Sequence, residues 1–379
     1  MLPGDRIVEP EGCELVQQNI SVVQRPAGSG DYGCLLQSNQ QRTTCVPNLA
    51  RDLDQKAFRP IRSLIGNAKH ILLSPEGELS VIPFEALVNE RRRYLVEEFQ
   101  FTYLTSGRDL LRMGTSPKAS QPATVVANPS FSDAADMTVA STVPPGGTKR
   151  NISIAKDISE VRFVPLSGTE TEANAIRSLF PDATLLTGPN ASVSVLSGLK
   201  APNILHLATH GFFLEDVGAA GDPGNRVAPA KGPTVIKNPL VRSGLALAGA
   251  NYRIGRPDDG ILTALEASGL NLWGTKLTVL SACDTGVGEI RVGEGVYGLR
   301  RAFTLAGTES LLMSLWPVSD LVTRELMVSY YENLRAGAGR GAALRQVQLS
   351  MLKRPGRRHP FYWASFIHSG EWANLEGKR

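Results

Sequence analysis

Two residues in matching settings could do chemistry together. His210 closes the run Ile204-Leu205-His206-Leu207-Ala208-Thr209-His210-Gly211, and Cys283 closes Leu277-Thr278-Val279-Leu280-Ser281-Ala282-Cys283-Asp284. Each follows a short apolar, β-branched run and precedes small, turn-forming residues, as at the end of a buried strand. In an open α/β sheet those ends build the binding crevice. A thiol and an imidazole there can act as a cysteine nucleophile and its base. A thiol is mostly protonated near neutral pH, so His210 would have to activate it. An oxyanion hole needs backbone N–H donors; Gly211, with no side chain to block approach, and Cys283 itself are the candidates. No third residue that would orient His210 is evident, so the pattern reads as a dyad.

Plainer readings compete. A cysteine ending a buried strand is commonly an inert core thiol, and a histidine there a satisfied polar group. The pairing of the two brings the chemical reading level with these. His206 and His210 lie four apart, but on a strand and without the Glu of a helical His-Glu-x-x-His, so no metal is expected. His206 reads as a buried, hydrogen-bonded neighbour. The run Gly286-Val287-Gly288-Glu289-Ile290-Arg291 lacks the Gly-Lys-Ser/Thr ending of a phosphate loop, and no cofactor is expected.

The elements that must position this pair alternate between strand and helix. Residues 1–48 read as an irregular extension. A helix is expected over Leu49 to Leu64 and strands over His70 to Ser74, Phe99 to Leu104 and Ala123 to Ala127. Residues 128–162 read as a mobile insertion. A helix from Thr169 to Phe180 follows, capped by Ser167 or Thr169, then a strand over Ala183 to Leu186 and a helix over Ser192 to Lys200. Residues 216–237 form a second irregular stretch, a lid, a substrate-binding loop or a segment without a role. Beyond it come a strand (Gly244 to Ala248), a helix (Leu262 to Leu270), the Cys283 strand, a helix (Glu294 to Leu305) and a strand (Ser310 to Leu315). Two helices (Leu321 to Leu334, Ala342 to Leu352) and a strand (Trp363 to Ile367) end the chain. The alternation predicts an α/β fold, a mainly parallel sheet with helices on both faces.

Composition bounds the partners. A net charge of +4 across 379 residues is too weak to argue for nucleic acid. The cluster Arg91-Arg92-Arg93 reads as a solvated turn. No apolar run reaches the ~18 residues of a membrane span, and Met1 to Arg6 carries no apolar signal core. Three of the four cysteines fall in the first 45 residues, in no zinc or disulfide spacing. A reducing cytoplasm is the expected compartment, with no membrane association.

At these residues the chain resembles the CHAT family, caspase-like peptidases associated with TPR proteins. His206-Leu207-Ala208-Thr209-His210-Gly211 resembles the family's histidine motif, and Leu280-Ser281-Ala282-Cys283-Asp284-Thr285-Gly286 its cysteine motif. Asp259-Gly260-Ile261, Gly293-Glu294-Gly295-Val296-Tyr297-Gly298, Ser314-Leu315-Trp316-Pro317 and His359-Pro360-Phe361-Tyr362-Trp363 fit in order. So do Leu73-Ser74-Pro75-Glu76-Gly77 and Pro83-Phe84-Glu85-Ala86-Leu87 upstream. The resemblance spans about residues 49–370.

It implies a caspase/separase-like fold with a pseudo-protease half over 49–162 and a catalytic half over 163–379. It further implies a bacterial cysteine endopeptidase that cuts one or few protein partners in signalling or defence, through the His210–Cys283 dyad. Asp284, Trp316 and Asp320 are candidates for the substrate cleft; Asp284 could instead shape its turn and Asp320 cap its helix. Some caspase-like families that cleave after Arg or Lys carry Asp two positions before the cysteine; here Ser281 stands there, so a basic P1 preference does not carry over. Residues 1–48 are too short for a TPR array, which leaves a separate TPR-containing or other activating partner, or a TPR region upstream in a longer protein. Two rival readings remain: a catalytically silent interaction module of the same fold, and a cysteine hydrolase of a non-peptide acyl group.

Overall fold

The computed structural model describes residues 47–115, 117–132, 161–213, 239–252, 259–282, 292–316 and 320–379. Its strands are β1 (His70–Leu73), β2 (Gln100–Tyr103), β3 (Thr124–Pro129), β4 (Thr184–Gly188), β5 (Ile204–Ala208), β6 (Gly211–Phe213), β7 (Ser243–Ala246), β8 (Ile261–Thr263), β9 (Leu277–Leu280), β10 (Ser310–Ser314) and β11 (Phe366–Gly370). Eight form one sheet, in the order β1-β2-β11-β10-β9-β5-β3-β4, and β6, β7 and β8 form a small antiparallel sheet. Every pairing in the large sheet is parallel except β10 with β11. The sheet is therefore two parallel blocks of opposite sense, joined at that seam.

The central strands β5, β9 and β10 are buried throughout. Parallel strands are covered on both faces, which is why these segments read as unbroken apolar runs. The longer helices are α1 (residues 47–65), α2 (Ser167–Leu179), α3 (Val193–Ser197), α4 (Val292–Ala306), α5 (Asp320–Arg335) and α6 (Arg340–Lys353). Register places His206, Val279, Leu312 and His368 on one face of the sheet. His206 meets α2 and α5 there, and Gly341 of α6 lies beside His368. On the opposite face Thr304 of α4 shares a small cavity lining with Leu311 and Ser369. Helices thus cover both faces, as the alternation predicts.

Several boundaries differ from the sequence reading for local reasons. The helix expected from Thr169 starts at Ser167, and neither candidate caps it: the N-cap position is Leu166, without a side-chain bond. The Thr169 hydroxyl instead donates to the Leu166 carbonyl and accepts the N–H of Asn128, tying α2 to β3. The helix expected over Leu262 to Leu270 is a strand and then one helical turn, Ala264–Ala267. Thr263 and Glu266 close a capping box there, so the helix starts only after β8 has paired with β7. The last strand lies three residues later than expected, because Pro360–Trp363 is a helical turn whose buried Trp363 indole donates to the Arg358 carbonyl. The middle of α1 is a π-helical turn, Asp54–Phe58, packed under Phe84, Phe99 and Phe101. No described helix is long and apolar enough to cross a membrane.

Candidate active site

β5 and β9 are adjacent and in parallel register, Ile204 opposite Leu277 and Leu207 opposite Leu280. The Ser281 N–H donates to the Leu207 carbonyl at 2.9 Å, extending the ladder one residue. The Ser314 hydroxyl of β10 donates to the Ala282 carbonyl at 3.0 Å. The chain is therefore held on both sides up to the residue before Cys283. Cys283 and Asp284 lie outside the described residues, as do the side chain of Asp320 and the stretch 214–238.

His210 follows β5 and precedes β6. Its ring is buried, with Phe131 centred 5.2 Å away and Phe163 5.7 Å away. These phenylalanines belong to a second apolar cluster with Val161, Phe212, Ala246, Ala250 and Ile261. The ends of the expected mobile insertion, 128–132 and 161–162, are thus ordered parts of the site; residues 133–160 lie outside the described residues.

His210 Nε2 lies 2.7 Å from the Val164 carbonyl oxygen. A carbonyl can only accept, so Nε2 carries a proton, and in the neutral ring the lone pair falls to Nδ1. A backbone group thus supplies the orienting partner that no side chain in the sequence announced. One signal for it was present. Pro165 biases Val164 toward extended backbone, and Val161 and Phe163 alternate inward against outward Arg162 and Val164.

The small sheet sets the remaining geometry. Ala246 N–H donates to the His210 carbonyl at 2.9 Å, and the Thr209 hydroxyl to the Ala246 carbonyl. Gly211 stands opposite Leu245. In an antiparallel ladder bonded through His210, the backbone groups of Gly211 point away from β7. Gly244 must be glycine, since a Cβ would lie 2.6 Å from the Leu262 carbonyl and 2.9 Å from the Phe212 ring. Gly260 has φ +71°, and a Cβ there would approach Ala250 N to 2.2 Å.

His206 is buried deeper in β5. Its Nδ1 lies 2.9 Å from the Tyr331 hydroxyl and its Nε2 3.1 Å from Glu172 Oε1. This agrees with its reading as a buried, partnered neighbour. Trp316 is also buried, its indole N–H donating to the Phe361 carbonyl at 3.0 Å. Among the described residues no group of His, Cys, Asp and Glu could hold a metal ion.

The CHAT domain model matches residues 47–371, and the chain belongs to the CHAT family. It is 26% identical over 318 residues to tetratricopeptide repeat protein 28 of Homo sapiens and 25% identical to that of Mus musculus. Each match covers 82% of this chain and 12% of the relative, so the chain spans about an eighth of their length. Among solved structures the likenesses are distant. The separase of the Saccharomyces cerevisiae separase–securin complex gives a TM-score of 0.43 at 12% identity, covering 80% of this chain and 15% of that one. Gingipain R of Porphyromonas gingivalis, an Arg-specific cysteine proteinase, gives 0.44 at 8% identity, covering 95% and 74%.

Proposed function

We propose that the chain is a cysteine endopeptidase in which His210 activates Cys283. The observation that carries this reading is the hydrogen bond from His210 Nε2 to the Val164 carbonyl, which in the neutral ring assigns the basic lone pair to Nδ1, at the strand end beside β9. In the proposed reaction Nδ1 takes the Cys283 thiol proton and the thiolate attacks the scissile carbonyl. The N–H groups of Gly211 and Cys283 bind the oxyanion of the tetrahedral intermediate. The imidazolium returns the proton to the leaving amine, and the thioester is then hydrolysed by water. The Val164 carbonyl stabilises the imidazolium that forms in between.

The substrate is a specific protein partner, with Asp284, Trp316 and Asp320 along its cleft. An activating TPR-containing partner fits the repeat proteins in which similar domains occur. The division into a pseudo-protease half (49–162) and a catalytic half (163–379) belongs to the same proposal, as do the bacterial, cytoplasmic setting and a role in signalling or defence.

The test is N-terminal peptide profiling of a lysate treated with wild type or Cys283→Ala. New N-termini found only with wild type are expected, and the residue before each gives the P1 preference. Identical profiles, in the presence of every candidate activator, would leave the silent-module reading standing.

A further inference from the structure

The carbonyl that orients His210 belongs to residues 161–166, which form no strand. Something other than a sheet ladder must hold it. Phe163, next to Val164, has both of its backbone polar groups met by a single side chain. Its N–H donates to Asn251 Oδ1 at 2.9 Å, and its carbonyl accepts from Asn251 Nδ2 at 2.9 Å. The two bonds fix the amide orientation, because the N–H needs an acceptor and the carbonyl a donor. Asn251 thereby imitates a strand neighbour for one residue.

Asn251 is itself anchored. Its backbone N–H donates to the Phe131 carbonyl at 3.0 Å, and Nδ2 also donates to the Ser132 hydroxyl at 2.8 Å. The turn carrying it is pinned by Gly249 N–H to the Ser130 carbonyl and by Ala248 N–H to the Ala191 carbonyl. Both phenylalanines flanking the His210 ring, Phe131 and Phe163, are therefore bonded through their backbones to Asn251.

We propose that Asn251 is the positioning residue of the His210 centre: it holds the 161–166 strap so that the Val164 carbonyl selects the Nε2–H tautomer. This deepens the endopeptidase reading and rests on it for its catalytic consequence. The effect on the ring is independent of what the protein cleaves. Asn251 touches neither substrate nor the reacting atoms; it acts through Val164. Displacing a catalytic group by about 1 Å can cost on the order of 10²-fold in rate, and loss of the clamp removes two of the bonds that set the strap's position.

The experiment is nitrogen-15 NMR of histidine-labelled protein, with mass-spectrometric measurement of Cys283 alkylation on the same samples. The chain has only five histidines, so His210→Ala identifies the ring signals directly. Wild type is expected to show His210 protonated at Nε2. Asn251→Ala is expected to lose that single-tautomer signature, and its Cys283 alkylation to slow at least about tenfold toward that of His210→Ala. Asn251→Asp keeps the acceptor for the Phe163 N–H in an isosteric side chain and should fall between the two, which keeps the test decisive if the alanine variant does not fold. An unchanged His210 signature in a folded Asn251→Ala, or in Asn251→Asp if the alanine variant does not fold, overturns the proposal. Failure of the peptidase reading looks different: alkylation of Cys283 would be equally slow in wild type and His210→Ala, while the tautomer comparison would still decide the role of Asn251.

Discussion

His206 and His210 lie one strand-length apart on the same segment, yet their surroundings differ in kind. His206 is held on one side by the Tyr331 hydroxyl and on the other by the Glu172 carboxylate, both buried. Its Nδ1 is hydrogen-bonded to a side chain of α5 and its Nε2 faces a carboxyl of α2, which makes it a cross-brace between the sheet and its helices. His210 has Nε2 on a backbone carbonyl and its ring between two phenylalanines at the strand exit. A neutral carbonyl fixes the tautomer without adding a formal charge. The same residue type becomes a brace in one place and a candidate base in the other, and the partners decide which.

Substitution should separate the two roles. His210→Ala and Cys283→Ala should each lower proteolysis by roughly 10³-fold or more, within the range expected for losing a general base or a nucleophile, with the denaturation midpoint changed little. His206→Leu should do the reverse in kind. It leaves the buried Glu172 carboxyl and Tyr331 hydroxyl without the imidazole, and stranding buried polar groups in this way costs about 1–3 kcal/mol each. Urea denaturation checks this, and Glu172→Leu added to His206→Leu should recover part of the loss. Equal stability of His206→Leu and wild type would remove the distinction.

A third buried group adds a pH dependence far from either histidine. Glu85 is buried beside Tyr103, whose hydroxyl donates to it at 2.7 Å, and burial raises its carboxyl to about 7. The folded state therefore keeps a proton that the unfolded chain has released above its usual carboxylate range. Stability should fall as pH rises from about 4.5 to about 7 and lose nothing further from this group above that, by a few kcal/mol at most. Comparing urea midpoints of wild type and Glu85→Gln at pH 5 and pH 8 checks it; the variant should lack this part of the pH dependence. The smallest effect expected is at Ser314. Replacing it by Ala removes the hydroxyl from the Ala282 carbonyl and should cost about 1 kcal/mol. Its effect on Cys283 alkylation should be slight beside that of His210→Ala.

The parts of the fold legible in the sequence were those with a strong local signature. The central strands and the long helices α4, α5 and α6 follow from apolar periodicity, and each falls within a few residues of its expected span. What escaped depended on contacts between distant segments. β6 and β8 are three-residue strands that exist through their pairing with β7, and no period is readable over three residues. His210 was visible from its motif and His206 from its apolar neighbours. For the Val164 carbonyl the sequence held only the extended bias set by Pro165, because a backbone acceptor has no residue type to mark it. Asn251 resembles any turn asparagine until the strap that it clamps is seen beside it. Phe131 and Phe163 sat at the margins of a polar stretch that reads as an insertion, and only the fold brings them onto the imidazole.

The most direct test of the central claim is the rate at which iodoacetamide labels Cys283 near neutral pH, followed by peptide mass spectrometry so that Cys13, Cys34 and Cys45 are counted separately. With His210 as its base, Cys283 should react at least about tenfold faster than those three thiols, and His210→Ala should abolish the difference while His206→Leu preserves it. A Cys283 that reacts no faster than the other cysteines, with or without His210, would contradict the assignment.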